Sequence, residues 1–188
     1  MRCLTILLDP GRLKRGVGPN RELGPPLKAG QLYAVAVGKG MTDISGDQLP
    51  ETVYKRFHVT DAVREPIAVE QWKIVPPKTN SRQPLVIIFP RPLDWALLSQ
   101  TMTIASADEQ SIEGRIAIDQ CERRWNFTPR FPWAAGSYHL RVTSSLEDVC
   151  GNSVIAAFDR ALRSGSDLAY EVANRSISFR LAGSDRAI

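Results

Sequence analysis

Residues 134–154 read AAGSYHLRVTSSLEDVCGNSV, and residues 28–49 read KAGQLYAVAVGKGMTDISGDQL. Both begin at a Gly, run through alternating apolar positions and close on an acidic turn with a second Gly. After one single-residue gap, Gly30 meets Gly136, Tyr33 meets Tyr138, and Asp43, Gly46 and Asp47 meet Asp148, Gly151 and Asn152. Upstream, Pro26-Leu27 matches Pro132-Trp133, and Leu4 to Leu8 with Asp9-Pro10 matches Arg124 to Phe127 with Thr128-Pro129. Downstream, Phe57 corresponds to Phe158. A supersecondary unit recurring at this separation means two copies of one module.

The rest of the chain follows the same habit. Apolar runs are short, alternate with period two and end at Pro, Gly, Asn or Asp, which is the pattern of half-buried strands. Trp72 and Ile74 share a face, as do Ile112, Ile116 and Ile118, then Trp125 and Phe127, then Tyr138, Leu140 and Val142, then Ile177, Phe179 and Leu181. Leu85 to Phe89 is apolar on both faces and predicts a central strand covered on both sides. Leu93 to Gln100, after Pro90-Arg-Pro92, predicts a short helical turn, with Trp95 packing it against the sandwich edge; Ser153 to Leu168 fits a helix or a strand. Seven strands between about Trp72 and Phe158, with turns at regular spacing, predict an all-β antiparallel sandwich.

Composition permits a core and excludes several classes. The 188 residues are 43% hydrophobic and 23% charged, which suits one ordinary domain or two small ones and not a disordered tail. The net charge of +4 is mild and its cations are interspersed with acids, so no dedicated nucleic-acid surface is expected. Cys3, Cys121 and Cys150 are odd in number and lack CxxC spacing and a companion His pair, which argues against a disulfide framework or structural zinc. The N-terminal MRCLTILLDPGR holds an apolar stretch too short for a signal-peptide core, and no later run is long enough to span a membrane.

The two copies are unequal. The second has strands from Trp72 onward; the first starts at Leu4, already on its third-from-last strand. The expected division is residues 1–66 as a partial sandwich, 67–160 as a complete one, and 161–188 as a tail with one strand. Three strands with one apolar face need cover. Truncation upstream of Met1 is the favoured explanation, with the strand Ser176 to Leu181 or another chain as alternatives. Association through the incomplete N-terminal sheet is an expected consequence.

PLVIIFPRPLD, IEGRIAID, RRWNFTP, FPWAAGSYHLRV and LEDVCGNSV together resemble a bacterial Ig-like domain of the SbsA type, named for surface-layer proteins. The resemblance covers roughly residues 70 to 160, and residues 4 to 60 resemble the last three strands of another copy. It implies an Ig-like fold, export to the cell envelope or beyond, no cofactor, and a structural or protein-recognition role. The alternative is a carbohydrate- or surface-polymer-binding module accessory to a larger enzyme. The stretch Gly11 to Leu23 replaces a tight turn of the second copy, and Cys150 stands where such domains carry a small residue.

The candidate sites read mostly as architecture. Asp148-x-x-Gly151-Asn152 and Asp43-x-x-Gly46-Asp47 offer oxygens suited to calcium, but each turn has too few for its six to eight ligands. An Asx-type turn, with Asp accepting backbone N–H groups and Gly at positive φ, requires the same residues. Tyr33 and Tyr138 read as corner anchors bonded to backbone. Arg12, Lys14 and Arg15 form a basic, Gly-rich solvated loop without the phosphate-loop motif, and are the best candidates for contact with an anionic partner. Trp72 and Trp125 read as core, and Trp133, between Pro132 and Ala134, as the exposed aromatic available to a partner. His58 and His139 read as surface residues. No nucleophile has a base beside it and no carboxylate pair spans a cleft, so no catalytic residues are assigned.

Overall fold

The structure, a computed structural model, describes residues 13, 17–43, 45–158 and 174–183. They form two compact units that divide between Val63 and Arg64. The chain is almost entirely antiparallel β, and among the described residues no helix is long and apolar enough to cross a membrane.

The first unit carries a short helix, α1 (Gly18–Leu23), and one hairpin of β1 (Leu32–Val37) and β2 (Val53–His58). Part of the expected loop Gly11 to Leu23 is therefore helical. Pro19 at the first turn brings a pre-set φ and no needed N–H, and Gly24 at φ 71° ends the helix. The hairpin register sets Tyr33 opposite Phe57 and Val37 opposite Val53. Tyr33, Val35 and Val37 are half-buried on one face, while Leu32, Val53 and Tyr54 are exposed. Among the described residues, every fully buried hydrophobic lies at Ile67 or beyond.

The second unit is a two-layer sandwich. One sheet orders β3 (Lys73–Val75), β4 (Leu85–Ile88), β7 (Arg124–Pro129) and β6 (Gly114–Asp119) as β3-β4-β7-β6. The other orders β5 (Met102–Ser106), β8 (Gly136–Val142) and β9 (Arg175–Leu181) as β5-β8-β9. Period-two alternation places directly opposed residues on the same face. Ile74 meets Ile87, Ile87 meets Trp125, Trp125 meets Ile118, and Phe127 lies between Leu85 and Ile116. On the other sheet Ile104 meets Leu140, and Leu140 meets Ile177. These side chains share one buried cluster, each fully buried large aliphatic or aromatic contributing about 1.5–3 kcal/mol of transfer free energy.

The helical turn is present as α2 (Trp95–Leu98), with Asp94 Oδ1 accepting from Leu97 N–H at 2.9 Å. Trp95 does not pack as expected: it is 53% exposed, while Leu93 and Leu98 are buried. Instead the indole of Trp125 donates to the Leu98 carbonyl at 3.1 Å and satisfies the end of that helix.

Two expectations about the strands change. Between Trp72 and Phe158 there are six named strands, and the seventh, β9, comes from the C-terminal region. It pairs with β8, so Ser176 to Leu181 belongs to the second unit's sheet. Residues 153–158 curl back instead of extending: Ser153 and Ala156 exchange hydrogen bonds, and Phe158 N–H reaches Asn152 Oδ1 at 3.0 Å. The remainder of the helix-or-strand stretch, residues 159–168, lies outside the described residues.

Tyr33 stacks on Phe57 with centroids 6.1 Å apart, and Tyr138 stacks on Phe179 at 5.5 Å. Phe57 and Phe179 thus face their tyrosines in the same way, each directly across its strand pair. Gly30, at φ 77°, and Gln31 together oppose Val59, with Gly30 N–H bonded to the Val59 carbonyl and Val59 N–H to that of Gln31. This is a β-bulge, which absorbs one extra residue without shifting the register of the strand beyond it.

Candidate functional site

The acidic turns are built identically. Asp148 N–H donates to the Asn152 carbonyl, Gly151 N–H to the Asp148 carbonyl, and the N–H groups of Cys150 and Asn152 to Asp148 Oδ1 at 2.8 and 2.9 Å. Asp43 N–H donates to the Asp47 carbonyl, Gly46 N–H to the Asp43 carbonyl, and the N–H groups of Ser45 and Asp47 to Asp43 Oδ1 at 2.8 and 3.1 Å. Gly46 and Gly151 sit at φ 86° and 79°, where a Cβ is strained. Isolated bridges Thr42–Gln48 and Glu147–Ser153 close both turns at the same offsets.

Surroundings separate the two turns. Asp43 is half-buried, whereas Asp148 and Asn152 are 3% and 0% exposed. Asn152 Nδ2 donates to both carboxylate oxygens of Asp148, and Arg91 Nε lies 3.0 Å from Asp148 Oδ2. Arg91 also donates to the Glu65 carbonyl at 2.7 Å. The Asp148 oxygens therefore serve a guanidinium, an amide and two backbone donors. Next to it, burial pushes the Glu147 carboxyl above its usual range, and the Asp94 and Asp148 carboxylates push it the same way. Among the described residues no group of three or more metal-ligating side chains comes together.

The tyrosine anchors hold in both units. Tyr33 Oη accepts from Lys28 N–H at 3.0 Å, and Tyr138 Oη donates to the Ala134 carbonyl at 3.1 Å. His58 is exposed; His139 lies beside Ser178, with Nδ1 3.1 Å from its hydroxyl. Cys121 and Cys150 are exposed. Arg12, Lys14 and Arg15 lie outside the described residues.

Trp133 is not the exposed aromatic. It is 2% exposed, and its indole donates to the Gln83 carbonyl at 2.8 Å. Its backbone bonds Asn80 and Ser81, and its ring contacts Phe127, Tyr138 and Phe179, with centroids 6.0, 5.2 and 6.5 Å away. A ring on a connecting loop here plugs the end of the sandwich between the sheets. The exposed aromatic on this loop is its neighbour Phe131, at 69%, with the Arg130 guanidinium 5.4 Å from the ring centroid. Phe131, Ile112, Glu113, Arg130 and Tyr138 help line an open cleft of about 490 Å³. At its rim Arg130 bonds Glu113 at 2.8 Å, an exposed pair that adds little stability. Nothing in the spacing of the sequence distinguishes Phe131 from Trp133 as the wet ring, and nothing couples Arg91 to Asp148.

No protein-family model matches the sequence, and no curated protein matches it. Among solved structures, the chain is similar to the crystal structure of the S-layer protein rSbsC, with 13% identity and a TM-score of 0.38. That match takes in 59% of this chain and 14% of the other, so the chain spans a small part of that protein's length.

Proposed function

We propose that the chain is a non-catalytic structural or protein-recognition module of a bacterial cell-envelope or secreted protein. In this reading residues 1–66 are the closing half of one Ig-like sandwich and residues 67–160 the body of a second. β9, from within 161–188, completes a sheet of the second. The observation that carries it is the twice-used Asp turn, whose acidic groups are consumed by backbone donors and, in the second copy, by Arg91. The chain's most site-like acids thereby hold strands in place. The envelope setting rests on the motif resemblance of residues 70 to 160.

A second reading, a module binding carbohydrate or another surface polymer beside a larger enzyme, is favoured by the cleft with Phe131 at its mouth. Exposed aromatic faces and adjacent charged pairs suit sugar rings and their hydroxyls. Binding of the full chain to isolated cell envelopes separates the two. Retention lost on protease treatment of the envelopes and unaffected by Phe131→Ala supports protein recognition. Retention on purified polysaccharide that Phe131→Ala abolishes overturns it in favour of the polymer module.

A further inference from the structure

We propose that the outer edge of β1 pairs with β1 of a second copy of this chain, two-fold and antiparallel, to make a continuous four-stranded sheet β2-β1-β1-β2. The inference rests on reading the N-terminal unit as an incomplete sandwich. The second unit supplies the template. There β8, the counterpart of β1, is an interior strand: β9 bonds one edge and β5 the other, antiparallel. Superimposing Tyr33–Phe57 on Tyr138–Phe179 makes β2 the counterpart of β9, and among the described residues nothing stands where β5 would.

Sequence chemistry selects this edge from all the others. Exposed strand edges are ordinarily guarded by charges, proline or bulges. Edge strand β3 carries Lys73, β6 carries Arg115 and Asp119, β9 carries Arg175 and Arg180, and β2 carries Lys55 and Arg56. β5 is uncharged, but residues 110–112 cover it through the Ala105–Ser111 bridge and the Ile112 N–H bond to Ile104. β1, LYAVAV, has neither charge, proline nor bulge within the strand. The basic β2 edge would repel its own copy, whereas β1 meets its copy without a charge.

Register follows from the pleat. A one-residue slip turns every side chain to the other face, so only alternate registers keep Tyr33, Val35 and Val37 together. The register that sets Val35 against its own copy opposes Tyr33 to Val37 twice, three apolar pairs on the half-buried face. This mirrors the apolar pairs Met102–Val142 and Ile104–Leu140 that β5 makes with β8. On the exposed face it places Ala34 against Ala36 of the copy.

Sedimentation of the full chain across a concentration series tests this. A species of twice the 20.8 kDa chain mass is expected. Two double variants, Ala34→Lys with Ala36→Lys and Ala34→Glu with Ala36→Glu, change only exposed positions of β1. Each alone is expected to weaken the dimer by about tenfold or more through like charges set directly opposite, and an equimolar mixture to restore it. A monomer at every concentration, or a mixture no tighter than either variant, overturns the pairing. Amide exchange at residues 32–37 separates the two failures. Fast exchange in a monomer leaves the open edge and discards only the partner; slow exchange means that something else covers β1 and discards the incomplete-sandwich reading itself.

Discussion

Asp148→Ala tests whether the second turn is a strut or an ornament, because the protein contains its own control. Asp43 and Asp148 make the same backbone bonds, and the two differ in what surrounds them. At Asp43 water substitutes for the lost carboxylate, and removal is expected to cost about 1 kcal/mol, as for a capping Asp. At Asp148 the N–H of Asn152 and its Nδ2 lose the carboxylate they bond, in a site that is 0% exposed. Each buried donor left without a partner costs about 1–3 kcal/mol, more if several are stranded together. Breaking a buried ion pair by removing one member costs about 3–5 kcal/mol, and Arg91 softens this because its side chain is 24% exposed and relaxes toward water. The expected total is about 3–4 kcal/mol. Urea denaturation followed by tryptophan emission reads it cleanly, since Trp72, Trp95, Trp125 and Trp133 all lie in the second unit. Amide exchange over residues 32–37 reads the Asp43→Ala effect in the first. A loss below about 1 kcal/mol for Asp148→Ala would refute the reasoning, because the buried donors would then have found other acceptors at no cost.

Gly151→Ala is expected to cost more than Gly46→Ala. Both force Ala to positive φ, worth about 1–2 kcal/mol, but only at Gly151 does a Cβ come within 2.8 Å of the Phe158 ring; equal losses in amide exchange would rule out any cost from that contact. Glu147→Gln is expected to stabilise the second unit at neutral pH. With the folded carboxyl held above its usual range, the native state binds the extra proton and stability falls as pH rises through that window; the gain from Gln should therefore fade on acidification, and a gain that grows instead contradicts the shift. Trp133→Phe is expected to lose about 1–3 kcal/mol by leaving the Gln83 carbonyl without its indole donor, and an unchanged urea midpoint would show water reaching that carbonyl.

Chemistry is legible in the sequence where it is local in space. Period-two alternation finds the strand faces because a pleated strand turns successive residues to opposite sides. The Asp turn and the Tyr anchor are visible because their partners lie within five residues. Distance along the chain hides the rest. Spacing alone does not reveal which aromatic faces each tyrosine: 15 residues, 38–52, separate β1 from β2, while 32, residues 143–174, separate β8 from β9. The Arg91–Asp148 pair spans 57 positions with no pattern to announce it. Trp133 reads as exposed because composition marks residues 131–135 as a loop, and only the assembled sandwich shows an open end for a ring to fill.

Those unequal connections carry a practical consequence. In both units the Asp turn is locked by its own short-range bonds before the chain moves on to the closing strand, so strand placement does not depend on how much polypeptide lies between. A hairpin that holds its register across 15 or 32 residues is a natural acceptor for grafted sequence: an epitope, a reporter or a whole domain spliced after Leu49 should be displayed without disturbing the Tyr33–Phe57 stack.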